Sequence, residues 1–462
     1  MHILLTEEAA QLSEVVVQAS SSFVDELEPI LTEVITEVEL TKAACCNLSE
    51  SFETNASVDV SYTDAITGAK TIRMLGLDGR YVQINRENVP NVRGLSGRFG
   101  LSYIPGTWIQ SIDVGKGSGS VVNGFESMTG QINVELKKPE SSEKLYINGY
   151  GNSFGRFEFN LNHARPIGNH WHTGIMLHTD NFSNELDQNE DGFMDIPKSR
   201  QINFLNRYKY AKGKIRSQIG YIIMRDEKAG GQLGFGFNDN FESSPEYGFL
   251  SNTTRVEVFG KTGLLFPNKP YKGWGLIYSG TYLNIDGGFG RNNYEGEERT
   301  VYANLIYQNI IGNTIQSYRA GGSMLIDDFQ DVYDDSTFTR TEYVPGLFYE
   351  YTFKPSDDFT LLAAIRTDFH NLFGVYTTPR IHARYQVTEN TSFRAAIGRG
   401  YRTPNVIMEN SNILVSSRRL IIEENPDPEV SWNMGGCIST ANTNNLKKLG
   451  LTVNYIYSTF EN

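Results

Sequence analysis

An oxygen-rich run, Asp187-Gln188-Asn189-Glu190-Asp191-Gly192-Phe193-Met194-Asp195, is one place where residue type and spacing together suggest chemistry. Asp187, Asn189, Asp191 and Asp195 stand at positions one, three, five and nine of a calcium-loop spacing with Gly192 at six, and such oxygens suit a hard cation. Lys198 sits where a bidentate Glu would close the loop, which argues against high affinity, so a plain solvated acidic turn and a structural calcium site are the two readings of this spacing. Adjacent thiols at Cys45 and Cys46 offer soft ligands for copper or another metal, or are simply two small buried residues on a helix. Cys437 is remote from both, so no dense disulfide framework is available. Glycines at Gly115, Gly117, Gly119, Gly124 and Gly130 allow tight turns. They do not make a phosphate cradle, because no Gly-Lys-Ser/Thr closes the run and no helical pattern follows. With 7 His and no convergent nucleophile and base, an enzyme is not expected.

The elements that would position these residues divide the chain unevenly. Across 462 residues the hydrophobic share is 39% and the charged share 21%, too balanced for disorder, while 44 Gly, 26 Phe and 25 Tyr lean towards β structure. No stretch approaches the ~20 apolar residues of a membrane-spanning helix, which leaves a β-barrel open. The net charge of -13 and the lack of a Lys/Arg face argue against nucleic-acid binding. Met1 to Leu5 carry no basic segment and fall short of the ~7 to 15 apolar residues of a signal peptide, so either the protein is cytosolic or its true start lies elsewhere.

Residues 1–20 read as an extension containing a short β-prone stretch, Leu12 to Val17. Residues 21–139 read as one α+β domain of about 120 residues. It has a helix around Thr41 to Phe52 and short strands at Ile72 to Leu75, Tyr81 to Ile84 and Gln131 to Leu136. From residue 140 to 462 apolar and polar residues alternate: Phe157, Phe159 and Leu161 interleave with Glu158, Asn160 and Asn162, and Val256 and Val258 flank Glu257. A soluble β-sandwich buries such an apolar face, whereas an outer-membrane barrel turns it to lipid around a polar lumen. Tyr146, Tyr150, Tyr221, Tyr278 and Tyr282 suit the interfacial girdles of the barrel.

Size arithmetic sharpens this reading. Roughly fifteen candidate strands at ~4.8 Å spacing and a tilt near ~40° give a backbone diameter of about 30 Å and a lumen of about 20 Å. The preceding domain would be about 34 Å across, too wide to fit. With roughly twenty-two strands the lumen reaches about 34 Å, the plugged-transporter class. The sequence therefore predicts an all-β, antiparallel membrane barrel, incomplete at roughly 15 of 22 strands and truncated at both ends, with the N-terminal α+β domain as a plug in the lumen.

A run of motifs then resembles a known family. Ile72-Arg73-Met74-Leu75-Gly76, Tyr81-Val82-Gln83-Ile84, Asn88-Val89-Pro90, Ile109 to Gly117, Ser120 to Gly124 and Thr129 to Val134 follow one another in the order of the plug of TonB-dependent outer-membrane receptors. Thr378-Pro379-Arg380 and Gly398-Arg399-Gly400-Tyr401-Arg402-Thr403-Pro404 resemble that family's paired barrel motif. Glu87-Asn88 departs from the usual Asp-Gly, and Lys116 stands where many members have Arg.

The resemblance implies active import of a scarce ligand, a ferric siderophore or other metal chelate, without chemistry on it. TonB, with ExbB and ExbD, would supply the energy through Glu14, Val15, Val16 and Val17, which are similar to a TonB box. It implies that Arg73 and Lys116 pair with barrel carboxylates, and that Arg93, Ser96, Arg98, Phe99 and Tyr103 face the external ligand, their basic and aromatic character suiting an anionic chelate. The expected location is the outer membrane, with lipid around the barrel and no required cofactor. A passive porin-like channel and a soluble β-sandwich binding or adhesion module are the competing readings.

Overall fold

The computed structural model describes residues 23–24, 29–42, 46–53, 55–240, 243–290, 292–416, 418, 420–422, 426–444 and 447–461. The N-terminal part contains β1 (Phe23–Val24), β2 (Thr32–Thr36), α1 (Glu37–Lys42), β3 (Val58–Tyr62), β4 (Lys70–Met74), β5 (Leu77–Asp78), β6 (Val82–Arg86), β7 (Val89–Pro90), β8 (Ile109–Lys116) and β9 (Gly130–Leu136). One sheet has the order β1-β2-β8-β9-β6-β7, and β3-β4-β5 form a second. Alternate apolar positions on β8 and β9, Ile112, Val114, Ile132 and Val134, meet Ile35 and Trp108 in a fully enclosed core.

The helix expected over Thr41 to Phe52 is not formed as such. Helix α1 ends at Lys42, and Glu50–Phe52 is a single 3-10 turn. Between them the Asn47 side chain accepts from both the N–H and the Oγ–H of Ser49 (3.1 and 2.6 Å), and the Leu48 N–H donates to Ile104 O (2.9 Å). Local side-chain bonding of this kind competes with the helical ladder.

Fifteen strands follow: β10 (Leu145–Gly151), β11 (Arg156–Ile167), β12 (Trp171–Phe182), β13 (Lys198–Lys212), β14 (Ile215–Gly231), β15 (Gly248–Leu265), β16 (Gly273–Phe289) and β17 (Asn292–Ile311) come first. Then come β18 (Asn313–Tyr333), β19 (Ser336–Phe353), β20 (Phe359–His370), β21 (Gly374–Thr388), β22 (Thr391–Arg402), the short helices α2 (Val406–Glu409) and α3 (Ser411–Leu414), β23 (Glu429–Asn444) and β24 (Lys447–Glu461). Each strand pairs antiparallel with its sequence neighbour, and β10 and β24 are the two edges of the described sheet. The long connections, 183–197, 232–247 and 403–428, all lie at one end of this wall, here termed the loop end.

Strand parity decides what the wall faces. On β20, Ile365 and Phe369 are 48% and 46% exposed, whereas Arg366 and Asp368 beside them are buried. The same inversion holds on β14, where Ile219, Tyr221 and Ile223 are outside and Gln218 and Met224 inside, and on β15, where Val256 and Val258 flank the buried Glu257. A water-soluble sandwich has the opposite polarity, so the outer face is a lipid-facing surface. Aromatic pairs gather at the turn end, Trp171–Tyr210 (4.7 Å between ring centroids), Trp274–Tyr307 (4.5 Å) and Tyr318–Tyr349 (5.8 Å), as an interfacial belt requires.

Two of the tyrosines expected in that belt belong elsewhere. Tyr146 and Tyr150 pair in register with the buried Asn162 and Glu158, so their parity points them inward. Tyr221 and Tyr282 are exposed on the outside.

The inward side of the wall wraps the N-terminal domain. Contacts run from Thr107 Oγ1 to Asn160 Oδ1 on β11 (2.8 Å), through Asn203 Nδ2 on β13 to Tyr103 O (3.2 Å), to Tyr81 against Glu429 on β23 (3.3 Å).

Replacing the outward Ile365 with Arg is expected to destabilise the bilayer-embedded protein by about 2–4 kcal/mol, as for a cation placed on a barrel's lipid face. Urea titration of the protein folded into lipid vesicles measures this. In a water-facing sheet the same change would stay within about 0.5 kcal/mol.

Candidate functional site

Burying charged side chains on the inner face is tolerable only where each meets a partner, and the plug supplies several of those partners, with the wall's own strands supplying others. The turn between β6 and β7 is the tightest example. Glu87 and Asn88 have φ of 56° and 61°, the paired left-handed conformations of a two-residue hairpin turn. That turn projects Glu87 into the wall. Its Oε1 accepts from Arg207 Nη1 (3.3 Å) and from Lys138, and its Oε2 from Lys261 Nζ (3.0 Å) and Gln218 Nε2 (3.1 Å). Burial alone would push this carboxyl up, but Arg207, Lys261 and Lys138 overcome it and hold Glu87 well below the usual carboxylate range. Next to it, Arg86 pairs with Glu257, which also accepts from Arg255 Nη2 (3.0 Å).

A second seat is built around Arg93, which pairs with Asp327 on β18 and with Glu126 of the plug (3.1 Å). The neighbouring Leu95 N–H donates to Glu298 Oε2 (2.8 Å). A third grips the plug backbone. Arg380 Nη1 donates to Gly119 O (2.8 Å) and Arg366 Nη1 to Val121 O (3.3 Å), while Phe125 stacks on Tyr401 (4.5 Å, 10°) and Tyr401 on Tyr376 (4.4 Å, 18°). At the loop end, Arg402 binds Glu409 of α2 through both Nη atoms (2.7 Å each), and Arg80 of the plug reaches the same carboxylate (3.4 Å).

These seats correct the expected plug–barrel contacts. Arg73 is exposed, facing Asp59 and Asp78 across its own three-stranded sheet. Among the described residues Lys116 pairs with Glu33 of the plug (3.9 Å), not with a barrel carboxylate. Strand parity is the reason for Arg73: its neighbours Ile72 and Met74 take the buried face. The pairing falls instead to Arg86, Glu87 and Arg93. Their sequence signal was available in the charges at inward parity between apolar residues, such as Glu257 between Val256 and Val258.

The expected ligand-facing residues are also placed differently. Arg93 is consumed by Asp327 and Glu126, and Arg98 by Asp64 with Thr67 Oγ1 (3.0 Å). Ser96 is buried, its Oγ donating to Asn91 O (2.9 Å), and Tyr103 and Phe99 lie in apolar cores. Of the five, Arg98 and Phe99 border the outer cavity described below. In the acidic loop, Asp187 accepts from the N–H groups of Asp191 and Gly192 (3.2 and 3.0 Å), Asp191 from Phe193 (2.8 Å), and Asp195 from Gln188 (2.8 Å). Asn189 also accepts from the Asp191 N–H (3.3 Å). These oxygens organise their own backbone, and among the described residues no group of three or more His, Cys, Asp or Glu is arranged around a metal. Burial pushes the Cys46 thiol up, away from the thiolate a soft metal needs. Cys45 and the segment Glu14, Val15, Val16 and Val17 lie outside the described residues.

Between the plug and the loop-end halves of β11 to β14 is a cavity of about 560 Å³, within the range of small-ligand sites. Cys46, Lys70 and Phe99 border it from the plug, Arg156, His178 and Lys228 from the wall. Glu50 bridges the two sides, accepting from Lys70 Nζ (3.3 Å) and Arg156 Nη1 (3.4 Å). Burial raises the Glu50 carboxyl, but Lys70 and Arg156 bring it below its ordinary value.

Comparison with known proteins places this architecture. Residues 27–131 match the TonB-dependent receptor plug domain, and residues 142–462 the TonB dependent receptor-like β-barrel. The vitamin B12 transporter BtuB of Vibrio vulnificus is 21% identical over 424 residues, 87% of this chain and 65% of that protein. Pseudomonas aeruginosa FpvA bound to heterologous pyoverdines has a similar fold, with a TM-score of 0.74 at 12% identity over 94% of this chain and 64% of that one. The siderophore receptor PirA of Acinetobacter baumannii gives 0.71 at 15%, over 94% and 72%. The chain thus spans just under two thirds of the curated relative it matches.

Because the folded-state pKa of Glu87 is depressed, its stabilisation is present above the ordinary carboxylate pKa of about 4.3 and is lost as pH falls through the folded value. Urea denaturation of the vesicle-embedded protein should therefore show acid weakening of the plug. Glu87→Gln should destabilise the protein at pH 7 by about 3–5 kcal/mol, by stranding buried cations, and should reduce the acid-dependent loss.

Proposed function

The chain belongs to the TonB-dependent receptors, and on that footing we propose that it serves active import of a scarce small ligand across the outer membrane. The observation that carries this reading is the wall's inner face, occupied by a domain held through buried ion pairs that a ligand-driven cycle could exchange. A passive channel needs an open bore, whereas here inward polar side chains of β11 to β23 meet plug atoms. A soluble binding module would not present Ile365, Phe369, Val256 and Val258 to the outside.

In this proposal TonB, working with ExbB and ExbD, engages the segment Glu14 to Val17, and the ligand enters from the loop end without being chemically changed. The cargo is a metal chelate. Support comes from the vitamin B12 transporter and the siderophore receptors among the similar proteins, whose ligands are metal-centred or metal-binding. A structural calcium in the 187–195 loop is compatible with the proposal but not required by it.

The test is uptake of radiolabelled metal chelates by cells producing the full-length receptor, with and without TonB. Val15→Pro, which disrupts pairing of the short segment with a partner strand, is expected to reduce uptake to the level of cells lacking TonB while leaving surface binding intact. Uptake that persists without TonB would favour the passive channel.

A further inference from the structure

The outer cavity carries information about the electrical character of its cargo. Four cations face it, and each already has a carboxylate. Lys70 is held by Glu50 (3.3 Å), Arg156 by Asp180 (3.0 Å), Arg98 by Asp64 and Lys228 by Asp226. Asp195, the remaining acidic group on the lining, accepts from the Gln188 N–H (2.8 Å). His178 is tied through Nδ1 to Asn160 Oδ1 (2.8 Å). Between these pairs the lining is amide and hydroxyl, from Asn152, Gln188 and Ser199, and apolar, from Phe99, Phe154, Phe182 and Ile196.

A multiply charged anion entering such a site would shed its hydration without gaining an uncommitted cation, and desolvating charge without a partner is strongly unfavourable. It could bind only by breaking an existing buried pair. A complex of zero net charge carries a far smaller desolvation penalty, can exchange hydrogen bonds with the amides and can lay apolar flanks on the aromatic rings. We propose that this cavity is the cargo site and that it selects electrically neutral, amphipathic metal complexes over polyanionic ones. The proposal rests on the import reading and narrows it, because the basic residues of the plug loop that would suit an anionic chelate are spent on Asp64, Glu126 and Asp327.

The test is equilibrium dialysis of the full-length receptor in outer-membrane vesicles against two iron probes, an uncharged ferric tris-hydroxamate and a trianionic ferric tris-catecholate. The uncharged complex is expected to bind at least about tenfold more tightly. Glu50→Gln, which takes the nearest carboxylate from Lys70 while Arg156 keeps Asp180, should shift the ratio of affinities towards the trianion by about tenfold. Asp226→Asn, which uncovers Lys228, should shift it in the same direction and serves if the first variant does not fold. The proposal is overturned if the trianion binds as tightly as the neutral complex, if neither is retained, or if both folded variants leave the ratio unchanged. Uptake measured in parallel separates the two readings: a neutral preference without TonB dependence sinks import and keeps the cavity, whereas TonB-dependent uptake without that preference sinks the cavity assignment alone.

Discussion

A wall with apolar side chains outside and ionised ones inside cannot stand with its inner face in an apolar medium, and it gains order only if something polar and shaped fills that side. The plug is that filling. Arg207, Glu257, Asp327, Arg366 and Arg380 are almost wholly enclosed, and each except Arg380 meets an opposite charge, while Arg380 meets main-chain carbonyls. Since breaking one such contact strands a buried charge, the arrangement favours a single seating of the plug over many loose ones. The same pairs are polar and hydrogen-bonded, so they can be exchanged for other polar contacts in a way that a packed hydrocarbon interface cannot.

The plug itself keeps an ordinary hydrocarbon core. Its sheets close around Ile112, Val114, Ile132 and Val134, and charge is confined to its rim. The apolar interior holds the domain together, and its place against the wall is fixed by the ion pairs together with apolar contacts, since Met176, Leu205, Ile222 and Phe259 of the wall join the same cluster. The outer cavity lies beside the 3-10 turn at Glu50–Phe52 and the loop carrying Arg98 and Phe99.

How far the sequence reveals this depends on whether the signal is local or pairwise. Period-two alternation is local, and Phe157 to Asn162 and Val256 to Val258 show their facing directly. Pairing is not local. Arg73 and Arg86 are both basic residues on short plug strands, yet parity sends one to solvent and the other to Glu257. Arg93 and Arg98 look like donors awaiting an anion until Asp327 and Asp64, distant in sequence, arrive beside them. Glu87 carried a clue of its own, an acidic side chain in a turn that needs positive φ at two successive residues. A residue tolerated there against backbone preference invites a search for what its side chain gains. The helix expected at Thr41 to Phe52 gives way for a similar reason, since the Asn47 side chain captures the Ser49 hydroxyl and the Ser49 N–H that a helical ladder would need.

The strand order of the plug also gives it an uneven mechanical compliance. Among the described residues, strand β2 meets the rest of its sheet through β8, over the five pairs from Thr32–Gly115 to Thr36–Ser111, with the two-residue β1 on its other side. Glu87 and Arg93 lie on the far side of that sheet, beyond β9 and β6. A tug on the chain ahead of β2 therefore loads a thin edge before it reaches the ion pairs of Glu87 and Arg93 with the wall, so the domain would begin to yield by peeling at its margin while its grip on the wall still holds.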